Sequence, residues 1–254
     1  MLRTAVLVLA AGCFTKPPRP DGASGDAGTD GASSARPRLV DKLPAARQQA
    51  SSVAYSISVP DEPDPYLLVT LQVGTHCDDA APPLLTAEVR NQIGEVQPLG
   101  SIANITGTPC LGNTHSELFE LRAPAPGTYE IVLSVAGVAP SLHSAALVFA
   151  NVDRENPTRQ TATASGEGAL AAVLIPSVES DLIVNAIGHG TTLEPPGPNA
   201  TEIFRRNIDS STTLNNSGAS FAAGTGDLVE MTWDAVALDQ WQTISAALRA
   251  AGEP

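Results

Sequence analysis

The sequence is poor in the residues that most enzyme and nucleic-acid chemistries need. Only 14 of its 254 residues are Lys or Arg, against 27 Asp or Glu, giving a formal charge of −13. A protein that clamps phosphates needs a basic face, and this balance does not supply one. Lysine occurs twice, at Lys16 and Lys42, and aromatic residues make up 4%. There is no GxSxG elbow, P-loop or HExxH pair. No apolar run is long enough to span a bilayer as a helix. Hydrophobic residues nevertheless reach 43%, with 16% charged, so a core of ordinary size is available and wholesale disorder is excluded.

The three cysteines divide by context. Arg3, the apolar run Ala5 to Ala10 and the small residues Ala11 and Gly12 lead to Cys13, as in an export signal. The stretch Leu9-Ala10-Ala11-Gly12-Cys13 resembles the lipobox of bacterial lipoproteins, with Leu one place further from the Cys than usual. That resemblance implies a signal over residues 1–12, acylation of Cys13 and attachment to the membrane through lipid. Phe14 follows the Cys where an inner-membrane protein would carry Asp, so the expected address is the cell envelope at the outer membrane. Cys77 and Cys110 remain as an even pair in an oxidising compartment. A structural disulfide is the expectation; a soft metal site or redox pair, which would normally show CxxC spacing, is the alternative.

Residues 13–44 are dominated by Pro, Gly, Ala, Ser and Asp and lack periodic apolar residues, so a lipidated Cys with a disordered stalk is expected there. Both lysines fall in this stretch, which leaves none for a mechanism in the body. From residue 45 to 254 the pattern becomes period two. Val53, Tyr55, Ile57 and Val59 alternate with small polar residues, as do Tyr129, Ile131, Leu133 and Val135. Further strand-like runs follow, separated by turns such as Pro60 to Pro65 and Pro124 to Gly127. Many short strands without long helical patterns predict an all-β, antiparallel β-sandwich. One sandwich domain over 45–254 is expected, with two smaller ones divided near Pro157 as the alternative. Residues Leu238 to Leu248 fit both helical and strand spacing.

From about Tyr66 onward the chain resembles a jelly-roll-like β-sandwich module of bacterial extracellular proteins. The resemblance is carried by Glu117 to Pro124, Pro126 to Leu133, Val152 to Pro157, Ser180 to Val184 and Met231-Thr232-Trp233 with Trp241 beyond. It implies architecture and compartment, and a strand for Trp241 to Leu248. That module has no agreed activity, so no functional residue is carried over.

Candidate chemistry is sparse. His76, His115, His143 and His189 are scattered singly. Asp61 and Asp64 in a proline-rich turn, Asp78 and Asp79 after Cys77, and Asp153 before Pro157 would supply hard oxygen ligands to Ca²⁺ if their loops met; otherwise they solvate an acidic protein. Trp233 and Trp241 would either form a sugar-stacking platform or belong to the core. No cofactor beyond that Ca²⁺ is implied. The expected function is a non-catalytic, lipid-anchored envelope module binding a glycan or a surface protein, with no nucleic-acid partner. The alternative is a hydrolase built from scattered His and carboxylates.

Overall fold

The computed structural model describes residues 35–75, 84–106, 112–207 and 216–253. Among them the chain forms strands and no helix. The first sheet holds β1 (Arg38–Val59), β2 (Tyr66–Thr75), β3 (Leu84–Arg90), β4 (Val96–Pro98), β5 (Gly100–Thr106), β6 (Gly112–Arg122) and β7 (Gly127–Ala150). The second holds β8 (Thr158–Pro176), β9 (Leu182–His189), β10 (Leu193–Pro196), β11 (Thr201–Arg206), β12 (Asn216–Ala223) and β13 (Leu228–Leu248). Every strand pair is antiparallel.

Each sheet is built on a long ribbon that bends once. In β1 and β7, Ser52 faces Ser134 but Ala50 faces Ala139, so residues 135–138 stand opposite residue 51 alone. In β8 and β13, Leu170 faces Asp234 but Gly168 faces Asp239, leaving 235–238 opposite 169. Extra residues on one strand bend it and sharpen its twist. Gly137 supplies the left-handed backbone that the first bulge needs, at φ 81°.

The bend lets one strand serve two layers. In the second sheet, the distal half of β13 pairs with β9, which pairs with β12 and then β11, while its proximal half pairs with β10. In the first, the distal half of β7 pairs with β2, then β6 and β5, while its proximal half pairs with β3 and then β4. With each ribbon strand counted as two, the first follows the strand order of a jelly roll, and the second does so without a counterpart of β4 among the described residues. Burial confirms the closure. Val53, Ile57, Leu67, Leu71, Ile131 and Leu133 pack in one cluster drawn entirely from the first sheet's portion of the chain. A flat sheet cannot bury a face against itself, so this sheet folds over its own core. Val173, Ile175, Ile183, Val229 and Met231 do the same in the second.

A third cluster joins the two sandwiches. Alternate residues of the same strands, Tyr66, Leu68, Leu118, Ala145, Leu147 and Phe149, meet Leu182, Val184, Ile203, Ile244, Ala246 and Leu248. Burial of each large aliphatic side chain contributes roughly 1.5–3 kcal/mol, which explains why two self-enclosed sandwiches form one compact unit.

The two halves also match residue by residue at this interface. Tyr66 opens β2 and pairs with Phe149 and Arg122; Leu182 opens β9 and pairs with Leu248 and Ala223. At the same distance along each strand, Gln72 pairs with His143 and Ser116, and Gly188 pairs with Gln242 and Ser217. These two equivalent rows face one another crosswise. His143 Nδ1 lies 2.7 Å from Ser217 Oγ, and Ser116 Oγ donates to Gln242 Oε1 at 3.4 Å. Equivalent residues exchange contacts, the signature of an isologous, two-fold interface, here within one chain.

Two expectations change and one open reading closes. The single sandwich expected over 45–254 is two, divided near Pro157 as the alternative had it, because each sheet closes over its own core. The folded body begins at Arg38, not at residue 45, because β1 pairs with β7 from Arg38 opposite Ala150 onward. Backbone pairing orders this stretch although its side chains are largely exposed. Lys42 therefore belongs to the body, where its ammonium donates to the Ile203 carbonyl. Residues 238–248, ambiguous by periodicity, are strand, held by β8 on one side and β9 on the other.

Candidate functional site

Cys13, Cys77, Cys110, His76, Asp78 and Asp79 lie outside the described residues. The two tryptophans do not form a platform. Trp233 is 1% exposed, its ring fills the second sandwich, and its indole N–H donates to Asn185 Oδ1 at 2.9 Å. A Cβ on Gly218 would sit 2.6 Å from the Trp233 ring, so the glycine is the floor on which the indole lies. Trp241 is half-buried over Gly166, where a Cβ would come within 2.7 Å of the ring. Trp233 belongs to the core, one of the two readings its sequence allowed, while Trp241 packs on Gly166 and keeps one side toward solvent.

The acidic loops do meet, without making a cation cage. Asn151 N–H donates to the Pro63 carbonyl and Val152 N–H to that of Asp64, which brings the 60–65 turn against 151–156. Asp64 is then occupied by Arg154 at 2.6 Å. Asp153 Oδ1 accepts the N–H groups of Glu155 and Asn156, closing its own turn. Asp61 is exposed. Among the described residues no group of three His, Cys, Asp or Glu side chains could hold a metal. Of the three described candidates for Ca²⁺, Asp64 is taken by an arginine and Asp153 by its own turn, while Asp61 stands exposed.

The described histidines serve three different purposes. His189 accepts from Thr191 N–H through Nδ1 and so donates through Nε2 to the Gly168 carbonyl, fastening the bend in β8; burial lowers its pKa. His143 is buried in the interface row, and desolvation, with Arg206 nearby, lowers its pKa to about 4. His115 is the one that resembles chemistry. Its Nε2 lies 2.9 Å from Glu117 Oε2 and its Nδ1 3.2 Å from Thr106 Oγ1, while Ser101 donates to the other Glu117 oxygen.

The concavity sequence reasoning missed lies at one end of the first sandwich, between the β3–β4 hairpin and the β6–β7 turn. Asn91, Glu95, Gln97, Arg122, Ala125 and Tyr129 line a cleft of about 500 Å³. A smaller hollow of about 180 Å³, reaching Gln92 and Ile93, continues it. Volumes of several hundred Å³ suit small-ligand sites. The hairpin wall is fixed by Asn91, whose Oδ1 accepts from Ile93 and Glu95 N–H and whose amide donates to Glu95 Oε2. Gly94 takes the left-handed turn at φ 82°. The opposite wall is fixed by Tyr129, whose hydroxyl donates to the Ala125 carbonyl at 2.9 Å. Arg122 is held by Glu120 and by the Glu155 carbonyl. Amides, a carboxylate and a guanidinium beside an aromatic ring can hydrogen-bond a hydroxyl-rich ligand. No Ser, His or Cys lines the cleft. The signal in the sequence was Asn91-Gln92-Ile93-Gly94-Glu95, a polar turn between strands, but only the fold shows that it faces Pro124 to Gly127.

By topology the chain is an all-β protein of antiparallel, jelly-roll-like β-sandwich class. No protein-family model and no curated protein matches it. Two solved structures do. One is a chain of an archaeal virus described for its triple jelly roll fold and turret assembly, at 12% identity over 82% of this chain and 60% of that one, with TM-score 0.26. The other is from the atomic structure of Sulfolobus turreted icosahedral virus, at 10% identity over 83% and 61%, with TM-score 0.26. The chain thus spans about 60% of the length of each. At these scores the jelly-roll assignment rests on the strand order described above.

Proposed function

We propose that the chain is a non-catalytic cell-envelope module, lipid-anchored through Cys13 at the outer membrane, that binds a glycan in the cleft between the β3–β4 hairpin and the β6–β7 turn. The observation that carries the binding role is the cleft lining, rich in amide and charged hydrogen-bonding groups and without Ser, His or Cys. Asn91 and Gln97 present amides, Glu95 a carboxylate and Arg122 a guanidinium to one volume. A hydroxyl-rich ligand would bond to Gln97 and to the capacity that Asn91, Glu95 and Arg122 do not already spend within the walls, at little reorganisation cost because hairpin and turn hold their shape through their own hydrogen bonds. The anchor rests on the lipobox-like stretch at Cys13. A glycan and polysaccharide screen on the full-length protein, with and without Ca²⁺, tests the binding role. Binding insensitive to chelator is expected, since Asp64 and Asp153 already have partners; an empty screen would remove the glycan.

A second reading has one observation behind it. Thr106, His115 and Glu117 form a hydroxyl–imidazole–carboxylate chain of the kind hydrolases use. It is the weaker reading because Thr106 and His115 are also direct cross-strand partners, a common setting for such contacts. Ester hydrolysis that disappears in Thr106→Ala and Glu117→Gln would establish it.

A further inference from the structure

The interface row leaves four buried atoms unpaired. Among the described residues, Gln72 Nε2 and Oε1, His143 Nε2 and Gln242 Nε2 have no hydrogen-bond partner. Their residues are 0%, 1% and 2% exposed. Buried polar side chains in native proteins almost always find protein or ordered water. Gln242 already uses Oε1 to accept from Ser116, and His143 uses Nδ1 toward Ser217.

The position of these atoms is set by the two-fold relation between the sandwiches. His143 and Gln242 are equivalent residues, and each contacts the serine of the opposite row. Gln72 lies between His143 and Ser116, and its equivalent in the other row is Gly188. The two-fold relation thus matches a long amide at the centre of one row with a residue without a side chain at the centre of the other. We propose that the sandwiches are joined there by a buried hydration site, in which ordered water is held by Gln72, His143 and Gln242. A water molecule accepts two hydrogen bonds and donates two. The Gln72 and Gln242 amide nitrogens supply two donors and Gln72 Oε1 one acceptor, while His143 Nε2 completes the set.

The test compares wild type with Gln72→Leu in the full-length protein. If water fills the site, Leu removes its central holder and strands the Gln242 and His143 nitrogens, and the melting temperature falls by about 3 °C or more. If the four atoms are bare, Leu removes two unmet polar atoms, and the melting temperature rises or stays level, which overturns the proposal. A crystal structure of the wild-type protein gives an independent reading should the variant not fold. Density within hydrogen-bonding distance of Gln72, Gln242 and His143 Nε2 supports the site; direct side-chain pairing without such density overturns it.

Discussion

Trp233 donates its indole N–H to Asn185 Oδ1 at 2.9 Å, and the Asn185 amide donates on to Thr243 at 2.6 Å and Ser245 at 2.9 Å. The core of the second sandwich thus contains a polar group that is satisfied from both ends. Removing one partner leaves the other buried and unpaired, which costs more than the bond itself contributes. Trp233→Phe is therefore expected to lower stability by ~2 kcal/mol, measured by equilibrium denaturation. No loss would place the indole N–H in water and return Trp233 to the list of surface candidates.

The glycines beneath the two indoles differ in how far their rings can move. Gly218→Ala forces a methyl group against a ring enclosed on all sides, and a loss of about 2 kcal/mol is expected for such overpacking. Gly166→Ala meets the half-buried Trp241, which has solvent on one side to move into, so a smaller loss is expected. Denaturation of both variants, with near-ultraviolet circular dichroism to follow the rings, checks the order.

Stability should also depend on pH through His143. Its folded-state pKa of about 4 lies below the ordinary 6.5. Between those values the unfolded chain binds the proton more readily than the folded one, so stability rises with pH across this window. The full contribution is present above about pH 6.5 and ~3 kcal/mol is lost by pH 4. Because carboxylates titrate at the lower end, the informative quantity is the difference between wild type and His143→Gln. The variant should lack most of the slope between pH 6.5 and 4.

Ion pairs should separate by burial. Asp181 is fully buried, takes Arg159 at 3.0 Å and also accepts from Val178 N–H. Asp181→Ala strands the Val178 N–H and leaves the Arg159 guanidinium to Glu253 alone, and a loss of about 2 kcal/mol is expected. Asp64 and Arg154 are far more exposed, and Arg154→Ala should cost less than about 1 kcal/mol. Thermal denaturation of the two variants distinguishes these outcomes.

Strands whose residues alternate between core and surface were legible in the sequence, such as Val53 to Val59 and Tyr129 to Val135. Those missed were shaped by something other than alternation. The first half of β1 is an edge with both faces partly exposed, so composition marked it as linker. Strand β12 is built of Asn, Ser, Gly and Ala because Gly218 must lie under Trp233, and small residues carry little strand signal. The shared strand plan of the two halves was invisible because it resides in pairing, with Gln72 equivalent to Gly188. The cleft was hidden for the same reason: hairpin 91–95 and turn 123–127 are brought together only when β7 links both layers.

The central claim is that the cleft binds a glycan through its amides. Calorimetric titration of the full-length protein with the strongest ligand from the screen, repeated with Asn91→Ala and Gln97→Ala, tests it most directly. The account predicts that each variant weakens binding at least tenfold, about 1.4 kcal/mol, while Gln97→Ala melts as wild type does because Gln97 is exposed. Unchanged affinity in both variants would contradict it and place the ligand elsewhere on the protein.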